Sequence, residues 1–450
     1  MSKYKYTEEE KQFNQVLLHQ EKELQSIETP DMKPVNERIA SSEALLQELG
    51  YTLPAKADIN GTGRKGIIQM PSWEELCLEA QRSVGDNIPL ESLFTAEELQ
   101  ENSAAIRKMN GDYNQIYHLD KYDVMIAVAA GLLAGAVDIL LVGMPQKTYE
   151  GLKAGPLSDY IRDYFEQRYP PGELEQLSIS KVPYDAQDNR NTSITVEGLS
   201  AYYHRLLSLG HDPLLGFIFG VSDIKNGKMT TIDKAGKVVS QVMDCYADRK
   251  EADIYSALCK QIIHFKSDIT TSMGLPVPLM SLFNFLQVGN IGKEEQTIAE
   301  IVQGMYYEGY DFIHFCSMSV SMMLVEAVIR MGYAIKRIKE GHSVKDSIPV
   351  STNQEKNPKL ATMLFLGHSA ATAVNAGKIV FAEGNPLAIN YPEWVAFASY
   401  SYRQLKWEII RKPELRDRYV RDLINEELES VYKDIDETFD SMRNPIIVMS

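Results

Sequence analysis

Residues 124–137 read VMIAVAAGLLAGAV, then comes Asp138, and then an apolar run from Ile139 to Met144. No charge interrupts the first fourteen positions, and the β-branched residues are too few and too scattered for a strand, so the stretch predicts a helix. At about 20 residues it is long enough to cross a bilayer. Gly131 and Gly135, four apart, leave room for the backbone of a second helix to approach closely. Asp138 is then a carboxylate in an apolar helix, where a charge is expensive without a partner.

Working outward, the chain before this run is polar and helical. Glu8-Glu9-Glu10-Lys11 opens a charged helix that is interrupted at Pro30 and resumes from Val35 to Leu49. Residues 51–72 are broken by Pro54, Gly61, Gly63, Gly66 and Pro71. Ser72-Trp73-Glu74-Glu75 has the form of a capping box, and Thr95-Ala96-Glu97-Glu98 starts a further helix. After the apolar run, helical patterns are expected at about 158–168, 251–270, 295–307, 311–340, 357–381 and 413–441. One hairpin is expected at 228–241, turning at Lys234-Ala235-Gly236. The fold class is therefore mainly α, a multi-helix bundle with at most a small β-hairpin. Composition and pattern divide the chain into a polar helical region (1–115), a central helical domain (116–285), a C-terminal helical domain (286–412) and a charged helical tail (413–450).

The totals exclude some functions. A formal charge of −16 opposes nucleic acid as a main partner, because phosphate binding needs a basic surface. Four scattered cysteines with no Cys-x-x-Cys pair fit a reducing compartment. No apolar segment follows Lys3-Tyr4-Lys5, so no secretory signal is read there, and the expected location is the cytoplasm or the inner membrane. Segments 124–144, 312–335 and 360–382 compete as membrane spans, each with an internal polar group: Asp138; His314 and Glu326; His368, Asn375 and Lys378. Lys336-Arg337-Lys339 follows the second as a cytoplasmic flank would. The competing expectation is a soluble bundle core, which suits the mean hydropathy of −0.24. A membrane and a second copy of the chain both stay open as partners.

Two stretches concentrate metal-ligating side chains. The first runs from Tyr203-His204-Arg205 to His211-Asp212-Pro213; in a helix, His204 and His211 would return to one face after two turns. The second contains His264 and Asp268, which stack at i,i+4 on a helix, before Gly274-Leu275-Pro276-Val277-Pro278. A divalent cation, zinc or similar, prefers imidazole and carboxylate ligands arriving from separate helices. The expected ligands are Asp138, His204, His211, His264 and Asp268. The alternative is a set of hydrogen-bonded core residues, with Asp138 paired to Arg205, Lys266 or Lys378 and Asp212 acting as a cap. Gly61-Thr62-Gly63-Arg64-Lys65-Gly66 lacks a preceding strand and reads as a loop rather than a phosphate cradle.

Over residues 124–280 the pattern resembles a family of bacterial membrane-bound metal-dependent hydrolases. Asp138 stands where that family has an aspartate motif after an early apolar helix, His204-Arg205 with His211 for its His-Arg…His motif, and His264-x-x-x-Asp268 running into Gly274-Leu275-Pro276 for its third. Ile139 and Leu140 occupy the places of the family's second acid and histidine, and the gap between His204 and His211 is longer. The resemblance implies metal-assisted hydrolysis, most plausibly of a phosphoester, with the five residues above as ligands, Arg205 or Lys266 facing developing negative charge, and Ser208 or Ser267 in support. The competing class is a non-enzymatic helical protein that inserts into or scaffolds a membrane, as a bacterial defence or toxin effector would.

Overall fold

The structure is a computed structural model. It describes residues 7–26, 38, 41, 44, 45, 71–85 and 93–442, apart from 150, 171–177, 191 and 293. The expected helix at 35–49 and the glycine-rich loop at 61–66 lie largely or wholly outside the described residues. Helices occupy 67% of the structure, and the sheets among the described residues are two antiparallel hairpins, so the class is mainly α.

Two compact units appear, Met1–Gln115 with Lys412–Ser450, and Ile116–Arg411. The boundaries expected at 115 and 412 coincide with this division. The central and C-terminal regions, expected as two domains, form one.

In the first unit lie helices α1 (Glu8–Ser26), α2 (Trp73–Val84) and most of α3 (Ala96–Tyr117), together with the closing α14 (Lys412–Met442). Ser72 and Glu75 form the expected reciprocal cap of α2.

The second unit contains a four-helix bundle. Its members are α4 (Lys121–Val137, continued by one π turn over Asp138–Val142), α10 (Phe312–Lys339), α12 (Leu360–Phe381) and α13 (Tyr391–Lys406). Asp120 and Asp123 cap α4 reciprocally. The glycines of α4 do what their spacing suggests. A Cβ on Gly131 would overlap the Gly367 carbonyl oxygen, and one on Gly135 would strike Val374, so α4 and α12 lie backbone to backbone in the same direction. Helix α10 runs the opposite way, its C-terminal Lys336 reaching Asp120 and Asp123 at the start of α4. Ala127, Ala130, Ala134, Val325, Ile329 and Leu364 form the bundle core.

Between α4 and α10 the chain makes a second body. It comprises the hairpin β1–β2 (Gln146–Thr148, Gly151–Lys153), α5 (Pro156–Arg168), the one-turn α6 (His204–Leu207), α7 (Phe219–Asn226), the hairpin β3–β4 (Lys228–Ile232, Val238–Val242), α8 (Ile254–Asp268) and α9 (Ile298–Tyr307). The β3–β4 hairpin and its turn are as expected; Asp233 accepts from Lys237 N–H and Ala235 N–H to close it. This body joins the bundle at one end: Arg162 of α5 grips Asp311 with both carboxylate oxygens at 2.9–3.0 Å, and Val142, Leu206, Met280 and Met318 share one apolar cluster. A single turn, α11 (Val344–Ser347), lies between α10 and α12.

Two helical stretches, Ala96–Val142 and Phe312–Lys339, are long and apolar enough to cross a membrane. The third expected span, 360–382, forms α12 but is not among them.

Candidate metal centre

Helix α8 delivers the clearest pair. Asp253 caps its N-terminus, and eleven and fifteen residues later His264 and Asp268 face the same way, with Nε2 and Oδ2 3.3 Å apart. That is the i,i+4 stacking expected from the sequence.

His204 and His211 come together by a different route from the one expected. Helix α6 lasts only from His204 to Leu207; the chain extends at Ser208, which bridges to Thr231 of β3, and then turns. The two rings meet edge to face with centroids 5.3 Å apart, not as neighbours on one helix. Gly210 makes the turn possible, since a Cβ there would lie 2.7 Å from the Tyr184 ring. Gln261 of α8 fastens this turn, donating to the Gly210 carbonyl at 2.8 Å and accepting from the Tyr184 hydroxyl at 2.5 Å. Tyr184 packs its ring against both His211 and His264.

The residue that sequence reasoning missed is Asp185. It follows Tyr184 in an irregular segment held by Asn189, whose side chain bonds both backbone groups of Val196. Its Oδ1 stands 3.2 Å from His204 Nε2 and 3.6 Å from His211 Nε2. Asp268 Oδ2 stands 3.5 Å from His211 Nε2. Asp185, His204 and His211 thus form one group that could hold a metal ion, and His211, His264 and Asp268 another, the donor atoms within each group all lying within 4.8 Å. The two groups share His211, whose Nε2 faces a carboxylate of each.

The protonation pattern follows from the partners. His204 Nδ1 lies 3.0 Å from the Ala201 carbonyl and His264 Nδ1 lies 2.8 Å from that of Ser180. A carbonyl only accepts, so both Nδ1 atoms carry a proton and both Nε2 atoms turn toward the carboxylates. The Nε2 atoms of His204, His211 and His264, and Asp185 Oδ1, are buried without an aligned hydrogen bond. Burial pushes the His211 pKa down to about 4, keeping the ring neutral, as a ligand must be. Burial opposes the charge on Asp185, but the facing His204 and His211 rings hold its pKa well below the usual range. Burial likewise opposes the charge on Asp268, and Arg205 beside it more than compensates.

The other expected site residues take different positions. Asp138 is not in the centre: Lys378 reaches its Oδ2 at 3.1 Å, and Asn375 and Asn390 donate to its two oxygens at 2.8 Å. A buried acid needed a partner, and the lysine was the one it found. Arg205 is buried and spends its guanidinium on Asp268, with Nε at 2.9 Å and a terminal nitrogen at 3.3 Å. It orients a carboxylate instead of facing open space. Lys266 is exposed on the far side of α8. Ser267 donates to the His264 carbonyl and to Asp268. Ser208 is buried, its hydroxyl without a partner. Asp212 is a cap, accepting from the Leu214 and Leu215 amides at 2.9 Å.

Three donors in each group lie close enough together for one ion. Bonds of ~2.0–2.1 Å put neighbouring ligands of a tetrahedral zinc about 3.3 Å apart. The four nitrogen–oxygen separations here run from 3.2 to 3.6 Å. Asp185 is 25% exposed at its side chain while the other four are at 3% or less, so Asp185 is the member of the set nearest the surface. Comparison with protein families, with curated proteins and with solved structures finds no match to this chain.

Proposed function

We propose that this chain is a metal-dependent hydrolase acting on a phosphoester at a membrane, the reading that the resemblance to membrane-bound metal-dependent hydrolases implies. One observation carries it: three buried imidazole Nε2 atoms without an aligned hydrogen bond meet two carboxylates in two groups of three that share His211.

A divalent ion in that position supplies a Lewis acid for the phosphoryl group and a means of ionising water near neutral pH. The chain's residues do the rest. Ala201 and Ser180 fix the tautomers of His204 and His264. Arg205 holds Asp268 in register and leaves the centre closed on that side. Asp185 is the most exposed of the five, placed to hand a proton to solvent.

The bundle supports the membrane part of the reading. From Val124 to Leu141 every exposed residue is apolar: Val124, Met125, Ala129, Leu132, Leu133, Ile139, Leu140 and Leu141. On α10 the exposed stripe is Met323, Ala327, Met331, Ile335 and Ile338. Only 33% and 39% of the most apolar windows of the two long helical stretches are buried. A soluble core helix hides its apolar residues, whereas these turn them outward, as helices clothed in lipid do. The π turn extends α4 to 22 residues, ~33 Å at 1.5 Å each, close to the ~30 Å hydrocarbon thickness.

The test is elemental analysis of the full chain purified in detergent without chelator or affinity metal, followed by phosphatase and phosphodiesterase assays. About one divalent ion per chain is expected in the wild type and less than a tenth of that in His211→Ala, with phosphoester turnover lost in parallel. Wild-type protein that is folded, metal-free and unaffected by added zinc or manganese would end the proposal.

A further inference from the structure

We propose that Glu326, His368 and Glu393 form a second site, inside the helical bundle, whose ligand is one exchangeable proton. The site is separate from the metal centre and does not depend on the hydrolase reading.

Each residue comes from a different helix: Glu326 from the middle of α10, His368 from α12 and Glu393 from the first turn of α13. His368 is fully buried, and its ring stands between the two acids. Nδ1 lies 2.7 Å from Glu393 Oε1, and Nε2 lies 3.7 Å from Glu326 Oε1. Glu393 is buried as well, whereas the Glu326 side chain is partly exposed. Tyr400 of α13 covers one face of the ring, nearly parallel at 13° with centroids 5.0 Å apart. Its hydroxyl donates to Glu326 Oε1.

The two ring nitrogens divide the protons between them. A 2.7 Å contact between an imidazole nitrogen and a carboxylate oxygen is a hydrogen bond, and a neutral ring supplies its proton from Nδ1. Nε2 is then left with a lone pair that faces the second carboxylate, buried and without an aligned hydrogen bond. A second proton, bound at Nε2, turns that repulsion into attraction. Glu326, the most exposed of the three, is placed to pass this proton on.

The charge count agrees. Arg330 grips Glu326 Oε2 at 2.7 Å, so two carboxylates share one guanidinium. An imidazolium brings the sum to zero, and its loss leaves one negative charge in an apolar bundle, where charge is expensive. Among the described residues no other cation lies within ion-pair distance of either acid. From α13, Arg403 is exposed and lies 5.5 Å from the Tyr400 ring centre. From α4, which meets α12 at Gly367, Asp123 and Asp138 are committed to Lys336 and Lys378. The bond to Glu393 survives loss of the second proton, so it is the hold of α12 on α10, through Glu326, that the proton controls.

Thermal unfolding of the full chain in detergent, followed from about pH 6 to 10, tests the site. His368→Gln keeps an amide to donate to Glu393 but takes up no proton. The bound proton stabilises the folded wild type, and that stabilisation is lost as pH rises. The wild type's advantage in melting temperature over His368→Gln should therefore shrink by a few degrees toward alkaline pH. Glu326→Gln removes the carboxylate that Nε2 faces and should bring the loss to a pH about one to three units lower. His211→Ala should leave the loss where it is; its disappearance in that variant would assign the titration to the metal centre and overturn the proposal. If His368→Gln does not fold, the wild-type and Glu326→Gln profiles decide alone. A constant difference for folded His368→Gln, or a wild-type profile for Glu326→Gln, makes the three residues a fixed polar contact and overturns the proposal.

Discussion

The bundle and the metal centre bury the same kinds of charged group and treat them in opposite ways. In the bundle each buried acid has been given its answer by the protein: Asp138 by Lys378, Asn375 and Asn390, and Asp123 by Lys336 at 2.6 Å. In the centre the carboxylates and imidazoles crowd one another at 3.2–3.6 Å, and three ring nitrogens are left with no aligned donor. Burying polarity is therefore not what marks a site in this molecule. The mark is several such groups gathered in one place; the bundle leaves the His314 ring nitrogens unpartnered too, but singly.

Three experiments break or sharpen that contrast. The largest effect belongs to Lys378→Met, which strips Asp138 of its counterion in a position where the lysine side chain is only 10% exposed. Removing one member of a buried pair costs about 3–5 kcal/mol. Thermal unfolding should register that loss while metal content stays at the wild-type level; a fall in metal content would mean the two regions are one coupled system.

Arg205→Lys comes next. Lysine keeps the charge but loses the two-point grip on Asp268, and an outer-shell change of this sort weakens metal binding about 10- to 100-fold. Competition with a chelator of known affinity measures it, and unchanged affinity would deny Arg205 its orienting part.

The smallest effect is at Asp223, a buried acid of the second body that is neither paired with a cation nor part of the centre. Burial pushes its pKa up to about 6 against the hydrogen bonds from Thr230. A folded pKa above the unfolded value means the fold prefers the protonated acid. Its stabilisation is complete below about pH 4 and is lost as pH rises through about 6. Asp223→Asn should erase that decline, so the difference in melting temperature between variant and wild type should grow by a few degrees from pH 4 to 7. A constant difference would show that Asp223 is ionised throughout.

The helices were legible wherever apolar period or capping chemistry was strong, as at Ser72, Thr95 and the His264–Asp268 pair, because those signals are local. His204 and His211 were legible as ligand types but not as geometry. Gly210 and the extended Ser208 end the helix that their spacing suggested, and the ring contact is made through a turn. Asp185 was not legible, since an acid in an aperiodic segment looks like any surface loop until Asn189 and Tyr184 are seen to hold it inward. Asp138 carried the right signal, an acid in need of a partner, but nothing local says that the partner is a lysine 240 residues onward.

The opposed directions of α4 and α10 fix a sidedness. Everything bearing the imidazoles hangs from the Asp138 end, while Lys336, Arg337, Lys339 and Lys359 collect at the Asp123 end. Positive charge flanking a span stays in the cytoplasm. On the proposed membrane reading, the basic cluster and the candidate metal centre would stand at opposite ends of these helices.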